Sequence, residues 1–136
     1  MNINSPVSDI MTKNVVTVSS SQKLVDVKHI FEKKEFHHHI PVVDDGKLIG
    51  IISLIDFMYA MKNASLDDDE EVYTKQQVKD IMHANPITKP SSSSIKEVAE
   101  ELAKGEVHAI VIADNDVLKG ILSTADVIRH FLKLIP

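Results

Sequence analysis

The feature of this chain that most constrains its fold is an internal repeat. Three blocks of the first half recur in the same order in the second half: residues 7–11 at 78–82, 14–17 at 85–88, and 50–56 at 120–126. Three matched blocks in one order are not expected by chance. The repeat indicates two copies of one supersecondary unit, each too small to be comfortably stable without sharing a core.

Each copy is predicted to run β-α-β-β-α. A short β-rich run comes first, at 15–18 and again at 87–88. Two strands joined by a tight turn and a closing helix complete the unit, and Gly46 supplies the positive φ that the first of these turns needs. Between the β-rich run and the strands lies a helix with an apolar stripe at helical spacing. The stripe consists of Leu24, Val27, Ile30 and Phe31 in the first copy and of Ile95, Val98, Ala99 and Leu102 in the second.

The repeat predicts an α/β (α+β) fold in which two β-α-β-β-α units pack by pseudo-twofold symmetry. We expect repeat 1 over residues 1–66, an acidic linker over 67–74 and repeat 2 over 75–136. The linker begins with the run Asp-Asp-Asp-Glu-Glu, and a charge run of this kind is usually a solvated connection.

Composition limits the classes of function. The net charge is −5 and Arg129 is the single arginine, so a broad nucleic-acid interface, which needs a clustered basic face, is not expected. The chain has no cysteine, which rules out disulfides and cysteine-bearing zinc sites. It contains no signal-peptide pattern and no apolar run of the roughly 20 residues that span a bilayer. We expect a cytoplasmic protein without membrane contact.

Three motifs carry a resemblance to a known family. Asp-Ile-Met occurs at the entrance of each copy, Ile-Pro-Val-Val-Asp forms the first strand at 40–44, and Gly-hydrophobic-hydrophobic-Ser-x-x-Asp leads into each closing helix. As a set, over residues 6–134, they resemble a tandem pair of CBS (cystathionine beta-synthase) domains, in the form of a free-standing CBS-pair module. The second copy departs from the pattern, with Val111 in place of Pro41 and no glycine in its turn.

The resemblance implies that Asp56 and Asp126 each accept hydrogen bonds from the hydroxyls of a ribose, with Ser53 and Ser123 beside them. A carboxylate has two oxygens and can accept both hydroxyls at once. Each Ser-x-x-Asp also fits a helix N-terminal capping box, in which the serine caps the helix and the acidic residue reaches back to it. The two roles are compatible, and both stay open.

Basic side chains form a second candidate set. The resemblance implies that basic residues at the strand entrance face the phosphates of the ligand, and we assign this role to His38 and His108. His37 is the alternative to His38, because it matches His108 when the copies are aligned from the preceding helix. Arg129 follows Asp126 by three positions on one helix face, and it is either a phosphate contact or half of a surface ion pair. No metal site is assigned, because the run of three histidines lacks a carboxylate partner.

The resemblance also places an apolar slot for the adenine ring. The candidates are Ile10, Met11, Val16, Thr17, Ile40 and Pro41 in the first copy and Ile81, Ile87 and Thr88 in the second. For each of these side chains taken alone, packing in the core is the alternative.

We therefore expect a regulatory module that binds an adenosine-containing nucleotide in clefts between the two copies. AMP is favoured over ADP, ATP and S-adenosylmethionine, because no lysine or arginine directly adjoins either aspartate and few charges are left for a triphosphate. No nucleophile, base and orienting group stand at recognisable spacing, so no enzyme activity and no required cofactor are expected.

Two other functions remain open at this point. One is a ligand-free dimeric interaction scaffold, and the other is a metal-responsive sensor that uses the histidines or the acidic linker. We also expect a homodimer formed through the helices after Asp56 and Asp126, whose apolar residues a small domain does not fully bury, and an unidentified protein as the regulated partner.

Overall fold

In the computed structural model, which describes residues 2–33 and 38–136, the chain forms six α-helices, one 3-10 helix and six β-strands. The helices are α1 (Leu24–Phe31), α2 (Leu54–Ala60), α3 (Glu71–Lys75), α4 (Val78–Ile81), α5 (Ile95–Ala103) and α6 (Thr124–Leu134), and the 3-10 helix is Val7–Asp9. The strands are β1 (His39–Asp44), β2 (Lys47–Ser53), β3 (His83–Ala84), β4 (Thr88–Lys89), β5 (Ala109–Asp114) and β6 (Val117–Ser123). The predicted α/β class is confirmed.

The chain divides into two compact units that do not follow the two sequence copies. The Asp56 unit is Val16–Pro86, and the Asp126 unit combines the segment up to Val15 with Ile87–Pro136. We call the residues around each Asp-Ile-Met motif, at 7–15 and 78–86, the entrance segment of its copy. The entrance segment of the first copy belongs to the Asp126 unit, and that of the second copy belongs to the Asp56 unit. Each unit therefore contains residues of both copies.

The Asp56 unit is built on a three-stranded antiparallel sheet in the order β1-β2-β3. Its fully buried side chains include Leu24, Val27, Ile40, Ile52 and Tyr73. The strand predicted at 15–18 is reduced to a single parallel bridge between Val18 and Val42. Val18 is buried whereas Val16 and Thr17 are exposed, so only one residue of that run is fixed in the sheet.

The Asp126 unit has a sheet in the order β4-β5-β6, with β4 parallel to β5 and β5 antiparallel to β6. The strand predicted at 87–88 lies one residue later, at Thr88–Lys89. The core contains fully buried Val7, Val98, Ile110, Ile112 and Leu122. Since Val7 comes from the chain's first segment, this core is completed by residues more than a hundred positions apart.

The turns between paired strands differ in sequence but not in backbone region. Gly46 has the predicted positive φ, at 76°, and Asp45 precedes it with a φ of 50°. The second turn has no glycine, and there Asn115 and Asp116 adopt φ values of 50° and 63°. Asn and Asp tolerate this left-handed region better than most residues, so the turn forms without glycine.

Each hairpin is tied to the preceding loop by the last residue of its first strand. Asp44 accepts hydrogen bonds from the hydroxyl and the backbone N–H of Ser20. Asp114 accepts the same pair from Ser91, at 2.6 and 2.9 Å. In both cases the hydroxyl and then the amide hold the pKa of the carboxyl below its ordinary value of 3.8. These two contacts are equivalent in the repeat, and sequence reasoning did not identify them.

The acidic run packs against helix α1. Asp68 lies 2.6 Å from the ammonium of Lys28, which also contacts Glu32 at 2.8 Å. These two carboxylates, Asp68 first, raise the pKa of Lys28. Helix α3 follows, with Tyr73 fully buried and its hydroxyl donating to the carbonyl of Ser65 at 2.8 Å. Within the described residues, no helix has the length and apolar character needed to cross a bilayer.

Candidate functional site

The candidate carboxylate of the Asp56 unit lies at the junction of β2 and α2. The hydroxyl of Ser53 accepts a hydrogen bond from the backbone N–H of Asp56 at 3.1 Å, and Asp56 Oδ2 accepts one from the N–H of Ser53 at 3.0 Å. This is the predicted capping box. The second carboxylate oxygen, Oδ1, lies 2.9 Å from Nε2 of His83. Asp56 is 18% exposed and His83 is 70% exposed, so the imidazole covers this oxygen from the solvent side.

The Asp126 unit repeats this arrangement with a different basic partner. Ser123 and Asp126 exchange the same two hydrogen bonds, at 3.1 and 2.9 Å, and form the second predicted capping box. Asp126 Oδ1 accepts a hydrogen bond from Nη1 of Arg129 at 2.8 Å. The side chain of Asp126 is 12% exposed, whereas that of Arg129 is 67% exposed.

In both carboxylates Oδ2 is fixed by the serine, and Oδ1 is accessible to a ligand. The capping hydrogen bonds use Oδ2 and fix the orientation of the side chain. Within the part of the chain that the structure describes, Oδ1 is paired with one exposed basic side chain in each unit, and exposed ion pairs contribute little energy. A ligand hydroxyl can therefore replace the basic side chain at Oδ1 without disrupting the helix terminus.

Two glycines allow the entrance segments to cross the sheets beside these carboxylates. A Cβ on Gly50 would lie 2.8 Å from the carbonyl oxygen of His83 and 2.8 Å from Sδ of Met82. A Cβ on Gly120 would lie 2.6 Å from the carbonyl oxygen of Thr12. Both distances are far below ordinary contact of about 3.5–4.0 Å. Glycine at these positions is required by the close approach, which places His83 and Thr12 at equivalent points of the two units.

The adenine candidates are distributed over the two units in a way that the sequence copies do not suggest. The Asp126 unit contains Ile10, Met11, Ile87 and Thr88, and the Asp56 unit contains Val16, Thr17, Ile40, Pro41 and Ile81. Because the entrance segments are exchanged, Ile10 and Met11 accompany Asp126, and Ile81 accompanies Asp56.

These side chains differ in burial and fall into three groups. Ile40 is fully buried in the core of the Asp56 unit. Ile10 and Ile81 are half-buried and pack on the cores of their own units. Val16 and Ile87 are 37% and 53% exposed, so these two offer accessible apolar surface to a flat ring.

The phosphate candidates occupy matched positions. The carbonyl of His38 accepts a hydrogen bond from the N–H of Leu54 at 2.8 Å, and the carbonyl of His108 accepts one from Thr124 at 3.1 Å. Leu54 and Thr124 are the first residues of α2 and α6, so His38 and His108 are equivalent in the fold. Both side chains are exposed. His37, the alternative alignment, lies outside the described residues.

Sequence reasoning did not include His83 in the site. In the sequence it follows the second Asp-Ile-Met motif, where the first copy has Thr12. In the structure it pairs with Ile51 of β2, whereas Thr12 pairs with Ile121 of β6. The sequence offered one signal, because His83 directly follows the repeated Asp-Ile-Met motif. That position points to Asp56 only once the entrance segment of the second copy is known to lie in the Asp56 unit.

One group of side chains has the composition of a metal site. Among residues 2–33 and 38–136, only His29, Glu32 and Asp68 bring three potential ligand atoms within 4.8 Å of one another. The ammonium of Lys28, whose side chain is 5% exposed, contacts both carboxylates of this group. The negative charge that would attract a cation is therefore already partly neutralised by a lysine of the chain itself.

Comparisons with known proteins identify the family of the chain. A family model for the CBS domain matches residues 7–63 and 78–133. Protein MJ1225 of Methanocaldococcus jannaschii is 27% identical over 135 residues, which cover 94% of this chain and 48% of that protein. The CBS domain-containing protein MJ0729 of the same organism is 26% identical, over 92% of this chain and 94% of its own length.

A solved structure gives the same result. The crystal structure of the CBS domain pair of protein MJ0100 in complex with 5′-methylthioadenosine and S-adenosyl-L-methionine superposes with a TM-score of 0.78 and 26% identity, covering 96% of this chain and 98% of that one. The chain spans less than half the length of several curated relatives that it matches, MJ1225 among them.

Proposed function

The chain belongs to the CBS domain family, and from this premise we propose that it is a regulatory module that binds an adenosine-containing ligand at Asp56 and Asp126. The observation that carries the proposal is the duplicated carboxylate: both aspartates are fixed by a serine through Oδ2, and within the described residues Oδ1 is paired with an exposed basic side chain. A capping role alone would not require the second oxygen to face an exposed side chain of this type in both units.

The ribose contact follows from the chemistry of the carboxylate. A cis-diol presents two hydroxyl donors close together, and an ionised carboxylate accepts from both. Hydrogen bonds to a charged acceptor are stronger than those between neutral groups. The MJ0100 pair, which holds 5′-methylthioadenosine and S-adenosylmethionine, supports an adenosine compound as the class of ligand.

AMP remains the favoured ligand within this class. The structure places Arg129 and His83 at the carboxylates, and His38 and His108 directly before the first residues of α2 and α6 through backbone contacts. This supply of charge suits one phosphate better than three. Val16 and Ile87, which are exposed, are the proposed contacts for the adenine ring, framed by the half-buried entrance residues.

We further propose that the module acts as a homodimer through the exposed faces of α2 and α6. Ile55, Met58 and Tyr59 of α2 are 63%, 56% and 71% exposed, and with Lys62 they line a hollow of about 290 Å³. On α6 the exposed apolar residues are Ile128, Phe131 and Leu132. Apolar faces of this kind on a small unit are typical of interaction surfaces.

Sedimentation velocity tests the dimer. Met58→Glu and Ile128→Glu each place a charge on one of these faces and should convert the dimer into a monomer with its melting behaviour otherwise retained. Lys79→Glu, which changes an exposed residue of α4, is the control and should leave the dimer intact. A monomeric wild type would remove the dimer from the proposal.

A thermal-shift panel tests the function itself. AMP, ADP, ATP, S-adenosylmethionine and divalent metal ions are compared on the wild type, Asp56→Ala and Asp126→Ala. A ligand at 100 times its dissociation constant should stabilise the folded state by about 2.7 kcal/mol. We expect a shift with an adenosine compound that is reduced in the aspartate variants. Stabilisation by metal ions alone would favour a metal sensor, and no shift with any compound would favour a ligand-free scaffold.

A further inference from the structure

The two carboxylate sites are held alike, but the side chains around them differ in chemistry. Three pairs of positions are equivalent in the repeat and carry different residues. The Asp56 unit has Leu54, Tyr59 and His83 where the Asp126 unit has Thr124, Arg129 and Thr12. In helix α6 the Asp126 unit has a hydroxyl-bearing residue in place of Leu54 and a permanently charged one in place of Tyr59. In its entrance segment it has Thr12 in place of the imidazole of His83.

Arg129 gives the Asp126 site a permanent positive charge. Its guanidinium is paired with Asp126 Oδ1 at 2.8 Å and cannot lose its proton under ordinary conditions. A ribose hydroxyl that takes Oδ1 releases this guanidinium, which is 67% exposed and free to turn toward a phosphate on the same ligand. The charge-assisted hydrogen bond formed there favours an anionic ligand over a neutral one.

Thr124, at the position of Leu54, does not belong to this site. With Val127, Ile128 and Phe131 it lines a hollow on the face of α6 away from Asp126 and Arg129. Its Oγ1 lies 3.4 Å from the carbonyl of His108.

The Asp56 site has no counterpart of Arg129. Its carboxylate oxygen is covered by His83, at 2.9 Å, a side chain that is 70% exposed and can be displaced by a ribose hydroxyl. Tyr59, at the position of Arg129, is 71% exposed and lies on the apolar face of α2. Tyr59 supplies no cation. His38 and His108 stand at matched positions of the two units, so the difference between the sites lies in Arg129.

We infer that the two sites take different classes of adenosine ligand. The Asp126 site takes a 5′-phosphorylated nucleoside through Arg129, and the Asp56 site takes nucleosides with or without a phosphate, with His83 as the displaceable cover of its carboxylate. This inference rests on the proposed function, because it assumes that both aspartates hold a ribose.

Titration calorimetry with AMP and adenosine at constant pH tests the inference. Asp56→Asn isolates the Asp126 site, and Asp126→Asn isolates the Asp56 site. We expect the isolated Asp126 site to bind AMP about ten- to a hundredfold more tightly than adenosine, the effect of one or two charge-assisted hydrogen bonds. The isolated Asp56 site should bind the two compounds with nearly equal affinity.

Variants of Arg129 in the Asp56→Asn background identify the group responsible. Arg129→Gln should abolish the preference for AMP by weakening AMP and leaving adenosine almost unchanged, and Arg129→Lys should retain part of it. Lys133→Gln removes the same charge from an exposed position of α6 and should have no effect. An equal effect of Arg129→Gln and Lys133→Gln would overturn the role of Arg129.

The outcomes separate the inference from the proposed function. Equal AMP-to-adenosine ratios at the two isolated sites, or an AMP preference at the Asp56 site as strong as at the Asp126 site, would refute the inference and leave the proposed function standing. If neither compound binds the wild type, the proposed function itself fails, and the inference fails with it.

Discussion

Replacing Gly50 with alanine perturbs the contact that brings His83 to Asp56. The added Cβ would lie 2.8 Å from the carbonyl oxygen of His83 and from Sδ of Met82. Ordinary contacts of this kind lie at about 3.5–4.0 Å. The thioether can rotate away, but the carbonyl belongs to strand β3, so the strand itself has to move. Overpacking of this type costs about 1–3 kcal/mol.

Urea denaturation measures this cost, and Gly46→Asn serves as the matched control. Gly46 has a positive φ but no atom within 4 Å of its Cβ position, and Asn tolerates this backbone region. The free energy of unfolding of the control should therefore stay near that of the wild type, while that of Gly50→Ala should fall. In a thermal scan the same loss should lower the melting temperature of Gly50→Ala by about 4 °C per kcal/mol for a chain of this size. Binding at the isolated Asp56 site should change, because His83 moves with its strand.

Wild-type stability in Gly50→Ala, together with unchanged binding at the Asp56 site, would refute this reasoning. It would mean that the entrance segment of the second copy does not cross β2 at Gly50. The same substitution at Gly120, where the carbonyl of Thr12 is 2.6 Å away, provides an independent repetition in the Asp126 unit.

Three further predictions concern stability. The pKa values of Asp44 and Asp114 are lowered in the folded state, so these carboxylates stabilise the fold above pH 3.8 and lose that contribution as the pH falls through the folded pKa. Asp114→Asn should therefore flatten the acid limb of a plot of urea midpoint against pH. Tyr73→Phe removes the hydrogen bond to Ser65 and should cost about 1 kcal/mol in urea denaturation. Lys28→Gln removes the ammonium from the His29–Glu32–Asp68 group, so zinc should raise the melting temperature of this variant more than that of the wild type.

Much of the fold could be predicted because its causes are local. The apolar stripe from Leu24 to Phe31 and the capping box from Ser53 to Asp56 depend on residues a few positions apart, and both appear as expected. The repeat then fixes the second unit by analogy. The run at 15–18 was the weakest element, since four β-prone residues do not determine how many of them pair with a neighbouring strand.

The exchange of entrance segments could not be predicted in this way. It depends on contacts between residues about thirty positions apart or more, such as Gly50 with Met82 and Gly120 with Met11, and a repeat is equally compatible with either pairing. His83 was missed for this reason. Asp56 and Asp126 were found because their motif recurs, but the different partners of their Oδ1 atoms become visible only in the folded chain.

The central claim, that Asp56 and Asp126 bind the hydroxyls of a ribose, is tested most directly by comparing AMP with 2′-deoxy-AMP by calorimetry. The wild type should bind AMP about tenfold or more tightly, the effect of one hydrogen bond to a charged acceptor. This difference should disappear in the Asp56→Asn/Asp126→Asn variant and persist in Asp45→Asn, an exposed control. An unchanged preference for AMP in the double variant would contradict the claim.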